Sequence, residues 1–364
     1  MSISFPQLGL TLDYVWKSIR IGGFEITMYG LLIAVGMLLG IAFVVLQAKR
    51  NNQNPNMYLG MTIFALIGGV IGARLYYVAF SWSYFSNKTI MNILDIRNGG
   101  MAIYGAIFGG AIFAALFCKI ARQPFMKMAD TASIGMLIGQ IIGVWGNFFN
   151  RESFGEYTDC IFAMRLPLSA VRANDVTTLM REHMETIDGV SYIQMHPLFL
   201  YECIWCLLLL LILLGYNRKK SFQGEIFMRY LAGYGLGKIF LEWLRTDSLY
   251  IPGTKIPVSL VVSVVLFVVF GLMTAISRSM AKKREAFRKR RREALYEAEE
   301  KQAEGYSDEW SGPRDKEAEK QEALRALEEV EKELAASKDQ ETAKKAEPEN
   351  SQPDGFSEES DAQP

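Results

Sequence analysis

Histidine and cysteine are scarce: 364 residues contain two His and four Cys. Cys203 and Cys206 form a CxxC, but inside an apolar run with no His or further Cys beside them. Zinc and redox centres need such clusters, so no metal site is expected. Cys160 has no evident disulfide partner. Met1 is followed by polar and mixed residues, without a basic start or a small-residue cleavage pattern, so no signal peptide is expected. Charge is also sparse over residues 1–280, which hold 22 Lys and Arg against 15 Asp and Glu. Residues 281–364 hold 17 and 24. The zero net charge therefore averages a +7 part and a −7 part, which marks two physical regimes. Nucleic acid is not an expected partner.

Half of the residues are hydrophobic, and they are gathered into long runs. A membrane-crossing helix takes about 20 apolar residues. Seven runs qualify, at about 26–47, 58–80, 101–120, 130–149, 197–215, 225–244 and 257–276. Stretches such as CIWCLLLLLILLG and VSLVVSVVLFVVFGLM have almost no polar face, which argues against core helices of a soluble protein. The expected fold is an all-α polytopic membrane protein of about seven transmembrane helices, with a small external head and a disordered or partly helical cytoplasmic tail. Residues 1–280 form the membrane part and 281–364 the tail. Residues 1–25 read as an interfacial arm or a flexible lead-in. Pairs of small residues four apart (Gly68 and Gly72, Gly105 and Gly109, Gly233 and Gly237, and the ladder Gly135, Gly139, Gly143) permit close helix contact.

The loops after spans one, three, five and seven read AKRNNQ, KIARQPFMK, NRKKS and RSMAKKREAFRKRRR. Basic loops stay cytoplasmic, so the N-terminus and the 150–196 loop are expected outside and the C-terminus inside. The stretch KKREAFRKRRRE suits anionic lipid headgroups. Beyond it, Leu324, Leu327 and Leu334 suit a short amphipathic helix or a solvated tail.

This topology gives each polar residue a depth. Arg74 lies past the middle of the outward-running second span. Asn147, Asn150, Arg151 and Glu152 end the fourth; Glu242 and Arg245 end the sixth, with Lys238 deeper. Tyr29, Tyr104, Tyr201 and Glu202 begin the inward-running first, third and fifth spans. Singly, each has a bland reading: interface tyrosine, snorkelling arginine, or a Glu242–Arg245 pair on one helix face. Together they collect costly groups from six helices at one depth, toward the external leaflet. An anionic, amphiphilic substrate in that leaflet needs cations at headgroup depth and apolar walls below. An ion pathway needs polar groups across the whole thickness, which is not the pattern here.

The stretch GVWGNFFNRESFG (143–155) resembles the signature of the phosphatidylglycerol–prolipoprotein diacylglyceryl transferase family, G-R-x-G-N-F-x-N-x-E-x-x-G. GARLYYV (72–78), GGMAIYGA (99–106), HPLFLYE (196–202) and LEWLRTDSL (241–249) resemble further blocks of that family, in its order and spacing. The resemblance covers roughly residues 20–276. It implies an enzyme of the bacterial plasma membrane with phosphatidylglycerol, lipobox-containing prolipoproteins and membrane lipids as partners, and no cofactor. The diacylglyceryl group passes to the lipobox thiol, giving a thioether and releasing glycerol phosphate.

The substrate supplies the thiol, so the enzyme needs no Cys nucleophile. Thiol deprotonation must be favoured, since the free pKa is about 8.5. Arg74 and Arg245 are expected to hold the phosphate. Asn147 and Asn150, three apart, can bond headgroup oxygens, with Arg151, Glu202 and Glu242 also expected at the substrate. Glu152 is expected to orient an Arg or assist proton removal, Gly155 to set the backbone, and Tyr29 and Tyr104 to offer hydroxyls. Two positions depart from the pattern. Tyr104, Gly105 and Ala106 stand where many members have His-Gly-Gly, and Val144 replaces the signature Arg proposed to bind phosphatidylglycerol. Arg151 is the nearest replacement cation by sequence. The alternative reading is a catalytically degenerate paralogue that binds lipid or lipobox peptide; a transporter is a further one, disfavoured by the lack of midplane ion groups.

Overall fold

The computed structural model describes residues 2–96, 99–251 and 253–308, together with Gln321 and Arg325. The amphipathic segment expected around Leu324–Leu334 and the acidic C-terminal stretch lie outside the described residues. The chain runs β1 (Ile3–Phe5), β2 (Leu10–Leu12), β3 (Ser18–Ile21), β4 (Phe24–Thr27), α1 (Met28–Arg50) and α2 (Pro55–Phe80). Two short helices, α3 (Trp82–Phe85) and α4 (Ile90–Leu94), precede α5 (Ile103–Ile120), α6 (Phe125–Gly143) and α7 (Trp145–Asn150). Then come β5 (Met164–Pro167), α8 (Thr178–Glu182), β6 (Glu185–Ile187), β7 (Val190–Met195), α9 (Leu198–Tyr216), α10 (Glu225–Leu244) and α11 (Val258–Asp308).

Among the described residues six helical stretches are long and apolar enough to cross a membrane: α1, α2, α5, α6 with α7, α9 and its short extension, and α11. Their outward faces expose Leu207, Leu208, Leu211 and Ile212 on α9 and Val264, Val265 and Val268 on α11. Apolar surface on this scale suits lipid rather than water. The expected sixth span, α10, forms as a helix in its expected place but is less apolar than those six. It carries Glu225, Arg229, Lys238 and Glu242, and it packs against α9 and α6. All four charges are ion-paired, which is the condition for holding them among apolar helices.

Glycine contacts set the helix spacing. Gly36 and Gly40 of α1 meet Gly139 and Gly135 of α6, and Gly68 and Gly72 of α2 meet Gly109 and Gly105 of α5. A Cβ on Gly72 would stand 2.3 Å from the Gly105 carbonyl oxygen. The spacing read from the sequence is thus used for backbone approach in these two pairs. Gly233 and Gly237 serve differently, making room for the side chains of Leu209 and Trp205. The Trp205 indole N–H donates to the Gly233 carbonyl at 2.9 Å.

The head contains a five-stranded antiparallel sheet in the order β2-β1-β5-β7-β6, beside a separate β3–β4 hairpin. The described part of residues 1–25 is therefore not a flexible lead-in: β1 joins β5 through Ser4 and Arg165, and β3 pairs with β4. Its period-two pattern buries Ile3 and Phe5 on one face. The sheet core adds Met164, Leu166, Ile193 and Met195, and continues into Phe148 and Phe154 of the signature and Phe199 of α9. One apolar cluster thereby joins the head to the ends of two membrane helices.

Gly72→Ala is expected to destabilise the purified protein by about 1–3 kcal/mol, because the intruding methyl meets backbone that cannot swing aside. Gly69→Ala, whose Cβ would sit 3.4 Å from the Ala106 oxygen, should be near neutral. Thermal unfolding of the two variants in detergent measures the difference; equal melting temperatures would contradict this account of the α2–α5 contact.

Candidate active site

The head end of the bundle is held together by backbone. The Gly155 N–H donates to the His196 carbonyl at 3.0 Å, and the His196 N–H returns a bond to the Glu156 carbonyl at 3.0 Å. The Glu156 N–H donates to Leu244 at 3.1 Å, and Gly155 forms an antiparallel bridge with Arg245. A Cβ on Gly155 would lie 2.9 Å from both the Leu244 oxygen and the His196 Cβ. Three separate sequence blocks therefore meet at one glycine, each bringing polar side chains with it.

Arg245, just beyond α10, is fixed by two carboxylates. Its Nε donates to Asp247 at 2.6 Å and its Nη1 to Glu242 at 3.1 Å. Glu242 is buried and also accepts from Ser248 at 2.9 Å and from Ser259 of α11 at 2.6 Å. Tyr104, in the first turn of α5, lies within electrostatic reach of both Glu242 and Arg245. Arg74 has a different setting. It is buried, and its Nε, Nη1 and Nη2 donate to the carbonyls of Ile93, Gly99, Gly100 and Asn92 at 2.7–3.1 Å. Its guanidinium also lies over the Phe85 ring at 5.2 Å. Arg74 thus fastens the segment between α2 and α5, and among the described residues its charge faces carbonyl oxygens rather than a carboxylate.

The signature residues separate into distinct settings. Helix α6 gives way at Val144 to the short α7. Val144 itself is buried. Tyr29 of α1 lies against Gly146, with Glu152 and Glu202 within electrostatic reach of its hydroxyl. The Asn150 amide donates to Glu152 at 3.0 Å, and Arg172 pairs with the same carboxylate at 2.9 Å. Among the described residues the Asn147 amide has no hydrogen-bond partner. Glu202 pairs with Lys238 at 2.8 Å and accepts from Tyr234.

Arg151 adopts a left-handed backbone conformation at the end of α7 and reaches the Val15 carbonyl at 2.7 Å, 94% buried under the head. Burial holds its guanidinium below the usual arginine range. The role of replacement cation at Val144 gains nothing from this geometry. The Arg151 Nη2 bonds the head, while its buried Nε has no hydrogen-bond partner among the described residues.

One cluster was not read from the sequence. The Tyr201 hydroxyl meets the His196 Nδ1 at 3.1 Å and the Cys160 thiol at 3.4 Å. Burial alone would raise the Cys160 thiol, but hydrogen bonds, led by Tyr201, outweigh it and hold it below its ordinary value. His196 and Tyr201 are five apart in HPLFLYE, so their meeting had a local signal; Cys160 lay 36 residues from His196 and had none. Burial pushes His196 below the ordinary imidazole value. A depressed His pKa contributes stability above the unfolded value of about 6.5 that is lost as pH falls through the folded one. The melting temperature should therefore decline below pH 6.5, and His196→Gln should flatten that decline. A titration slope unchanged by the substitution would remove His196 from this role.

A bundle of apolar helices with paired charges, Asn, Tyr and Arg gathered at one end defines a multi-pass membrane protein with a polar site beside its head. Residues 17–276 match the family described as prolipoprotein diacylglyceryl transferase, and the chain belongs to that family of bacterial transferases. A phosphatidylglycerol–prolipoprotein diacylglyceryl transferase of Nostoc sp. is 37% identical over 262 residues, covering 68% of this chain and 87% of the relative. One from Finegoldia magna is 39% identical over 248 residues, covering 68% and 89%. One from Bacillus cytotoxicus is 35% identical over 270 residues, covering 73% and 93%.

Proposed function

We propose that this protein transfers the diacylglyceryl group of phosphatidylglycerol to the lipobox cysteine thiol of prolipoproteins at the outer face of the bacterial plasma membrane. The thiol sulfur forms a bond to the terminal glyceryl carbon as the carbon–oxygen bond to phosphate breaks. Glycerol phosphate leaves, and the thiol proton passes to it or to solvent. The observation that carries this reading is the convergence at Gly155, which brings the signature, His196 and Arg245 to one point at the end of an apolar bundle.

The residues divide the work by what they already touch. Three of the five N–H groups of Arg245 are engaged by Glu242 and Asp247, which leaves two for phosphate oxygens. Its two carboxylates hold the fork in place, so binding needs little reordering. Arg74 contributes a buried charge that no carboxylate among the described residues cancels, and so favours an anion nearby. Asn147 has an uncommitted amide for the headgroup, and Asn150 steadies Glu152. Tyr104 and Tyr29 present hydroxyls beside the two carboxylate groups. The base role falls to no imidazole at position 104. Glu152 is the carboxylate of the signature and takes that task; its own partner, Arg172, is an exposed side chain, while Glu202 and Glu242 are tied to Lys238 and Arg245.

The buried Val144 favours a second reading, a paralogue that binds lipid or lipobox peptide without turnover. Purified protein given phosphatidylglycerol and a lipobox peptide separates the two. Glycerol phosphate release with a thioether product on the peptide supports catalysis; lipid binding without either supports the paralogue.

Two predictions follow from the assignment. Arg245→Ala should lower turnover about 10- to 150-fold, the loss of one charge-assisted bond of about 1.5–3 kcal/mol. Lys should restore only part, lacking the planar fork. Arg74→Ala should instead lower both activity and melting temperature, since it also releases four backbone carbonyls. Unchanged turnover in Arg245→Ala would reduce that residue to a structural part. The orientation has its own test. A reporter active only outside should work within residues 160–190, and one active only inside should work after 280; the reverse pattern would place the site on the wrong leaflet.

A further inference from the structure

At the opposite end of the bundle, three helix faces converge on a groove of about 250 Å³. Helix α9 contributes Leu209, Leu213 and Tyr216, which lie on one face by their spacing. Helix α10 contributes Arg229 and Ala232, and α11 contributes Gly271 and Thr274. The next residue on that α11 face is Arg278. The groove is apolar along its length and cationic at one end.

The position of that end follows from helix geometry. Glu242 and Ser259 bond each other, so the last turn of α10 and the first turn of α11 share the end that carries Arg245. From there Arg229 lies 13 residues back along α10 and Arg278 19 residues on along α11. At 1.5 Å per residue these are about 20 Å and about 28 Å, most of a hydrocarbon thickness of about 30 Å. The cationic end therefore sits in the leaflet opposite the active site.

The charges there do not cancel. Glu225 is fully buried and pairs with Arg229 at 3.0 Å, also accepting from the Tyr216 hydroxyl at 2.6 Å. Two guanidiniums approach the Tyr216 ring, Arg229 at 4.0 Å and Arg278 at 5.4 Å from its centroid. Arg278 meets no carboxylate among the described residues, and its buried Nε has no hydrogen-bond partner. Glu225 thus neutralises one Arg and leaves the other. A cation placed over an apolar groove, with its fork unfilled, is complementary to a phosphate that carries an acyl chain.

We propose that this groove binds an anionic phospholipid of the leaflet opposite the active site, its phosphate on Arg278 and part of one acyl chain along Leu209, Leu213 and Gly271. The volume holds a length of chain, not a whole lipid. The site takes no part in the transfer reaction, and the inference does not rest on it.

The test uses the full-length protein in nanodiscs of phosphatidylcholine containing a trace of phosphatidic acid with a photoactivatable acyl chain. Peptides covering residues 207–216 and 268–278 should be labelled at least about tenfold more than by the matching photoactivatable phosphatidylcholine, the scale of one charge-assisted bond. Arg278→Gln should bring labelling down to the phosphatidylcholine level while transferase turnover stays within about twofold. Gly271→Leu is the second variant: Gly271 lines the groove and a Cβ there meets no neighbouring atom, so the longer side chain is expected to occupy the groove. It should abolish the anionic excess even if Arg278→Gln does not fold. Equal labelling by the two lipids, or an excess that survives either folded variant, overturns the proposal. Displacement of the lipid by millimolar inorganic phosphate would also overturn it, by making free phosphate the ligand.

Discussion

The contact at Gly155 constrains the rest of the active-site end. Its N–H and the N–H of Glu156 satisfy carbonyls from two other segments, His196 and Leu244. Those carbonyls belong to the link between the head and α9 and to the last turn of α10. A Cβ at Gly155 would stand 2.9 Å from the Leu244 oxygen and from the His196 Cβ. Without that approach, the bridge to Arg245 would open, and the Glu242–Arg245–Asp247 set would lose its fixed relation to the signature. The same contact ties the head sheet to the bundle, because β7 ends at Met195, one residue before His196. Polar side chains from distant parts of the sequence are thus positioned by backbone bonds, which hold geometry more tightly than side-chain contacts alone.

Charge at this end is nearly saturated internally. Lys238, Arg172 and Arg245 face Glu202, Glu152, Glu242 and Asp247. Such pairing makes the groups tolerable in a low-dielectric setting but also leaves little free positive charge for an anionic headgroup. Arg74 and Arg151 are the exceptions, both buried and both bonded to carbonyl oxygens. Carbonyl dipoles fix a guanidinium without cancelling its charge. In our proposal the attraction for phosphate therefore comes from Arg74 at a distance, while direct bonds come from Arg245.

The apolar bundle was legible because lipid imposes long runs with few charges, and six of the expected spans meet that test outright. The sixth in chain order, α10, was legible as a helix through its length and the i,i+3 spacing of Glu242 and Arg245, whereas the partner of Lys238, Glu202 of α9, has no linear signal. The glycine pairs of α2 and α5 were visible as a four-residue period. The use of Gly237 to seat Trp205 was not, because the small residue looks the same whichever neighbour it admits. The strands of the head escaped notice because each is three to six residues long. Their pairing is also non-local, with Ser4 against Arg165. Arg74 was read as a ligand from its depth alone; its carbonyl partners lie 18 to 26 residues away, in a loop whose shape no motif encodes. Arg151 was read from its proximity in sequence to Val144, and the left-handed turn at its own backbone is what redirects it.

Val144 then acquires a physical meaning beyond a missing charge. It sits where α6 breaks into α7, buried one turn before the Asn147 amide. A guanidinium in that place would need carbonyl or carboxylate partners, and Arg151, which has such a carbonyl, spends it on the head. The Val side chain instead leaves the junction apolar and Asn147 uncommitted. In the proposed function, headgroup recognition at the signature rests on the neutral amides of Asn147 and Asn150, with charge supplied by Arg74 and Arg245. In that proposal the phosphate lies nearer Arg245, and Tyr104 is within electrostatic reach of the same residue. Both departures from the signature thus draw the proposal toward Arg245, the cation whose fork two carboxylates hold in place without filling it.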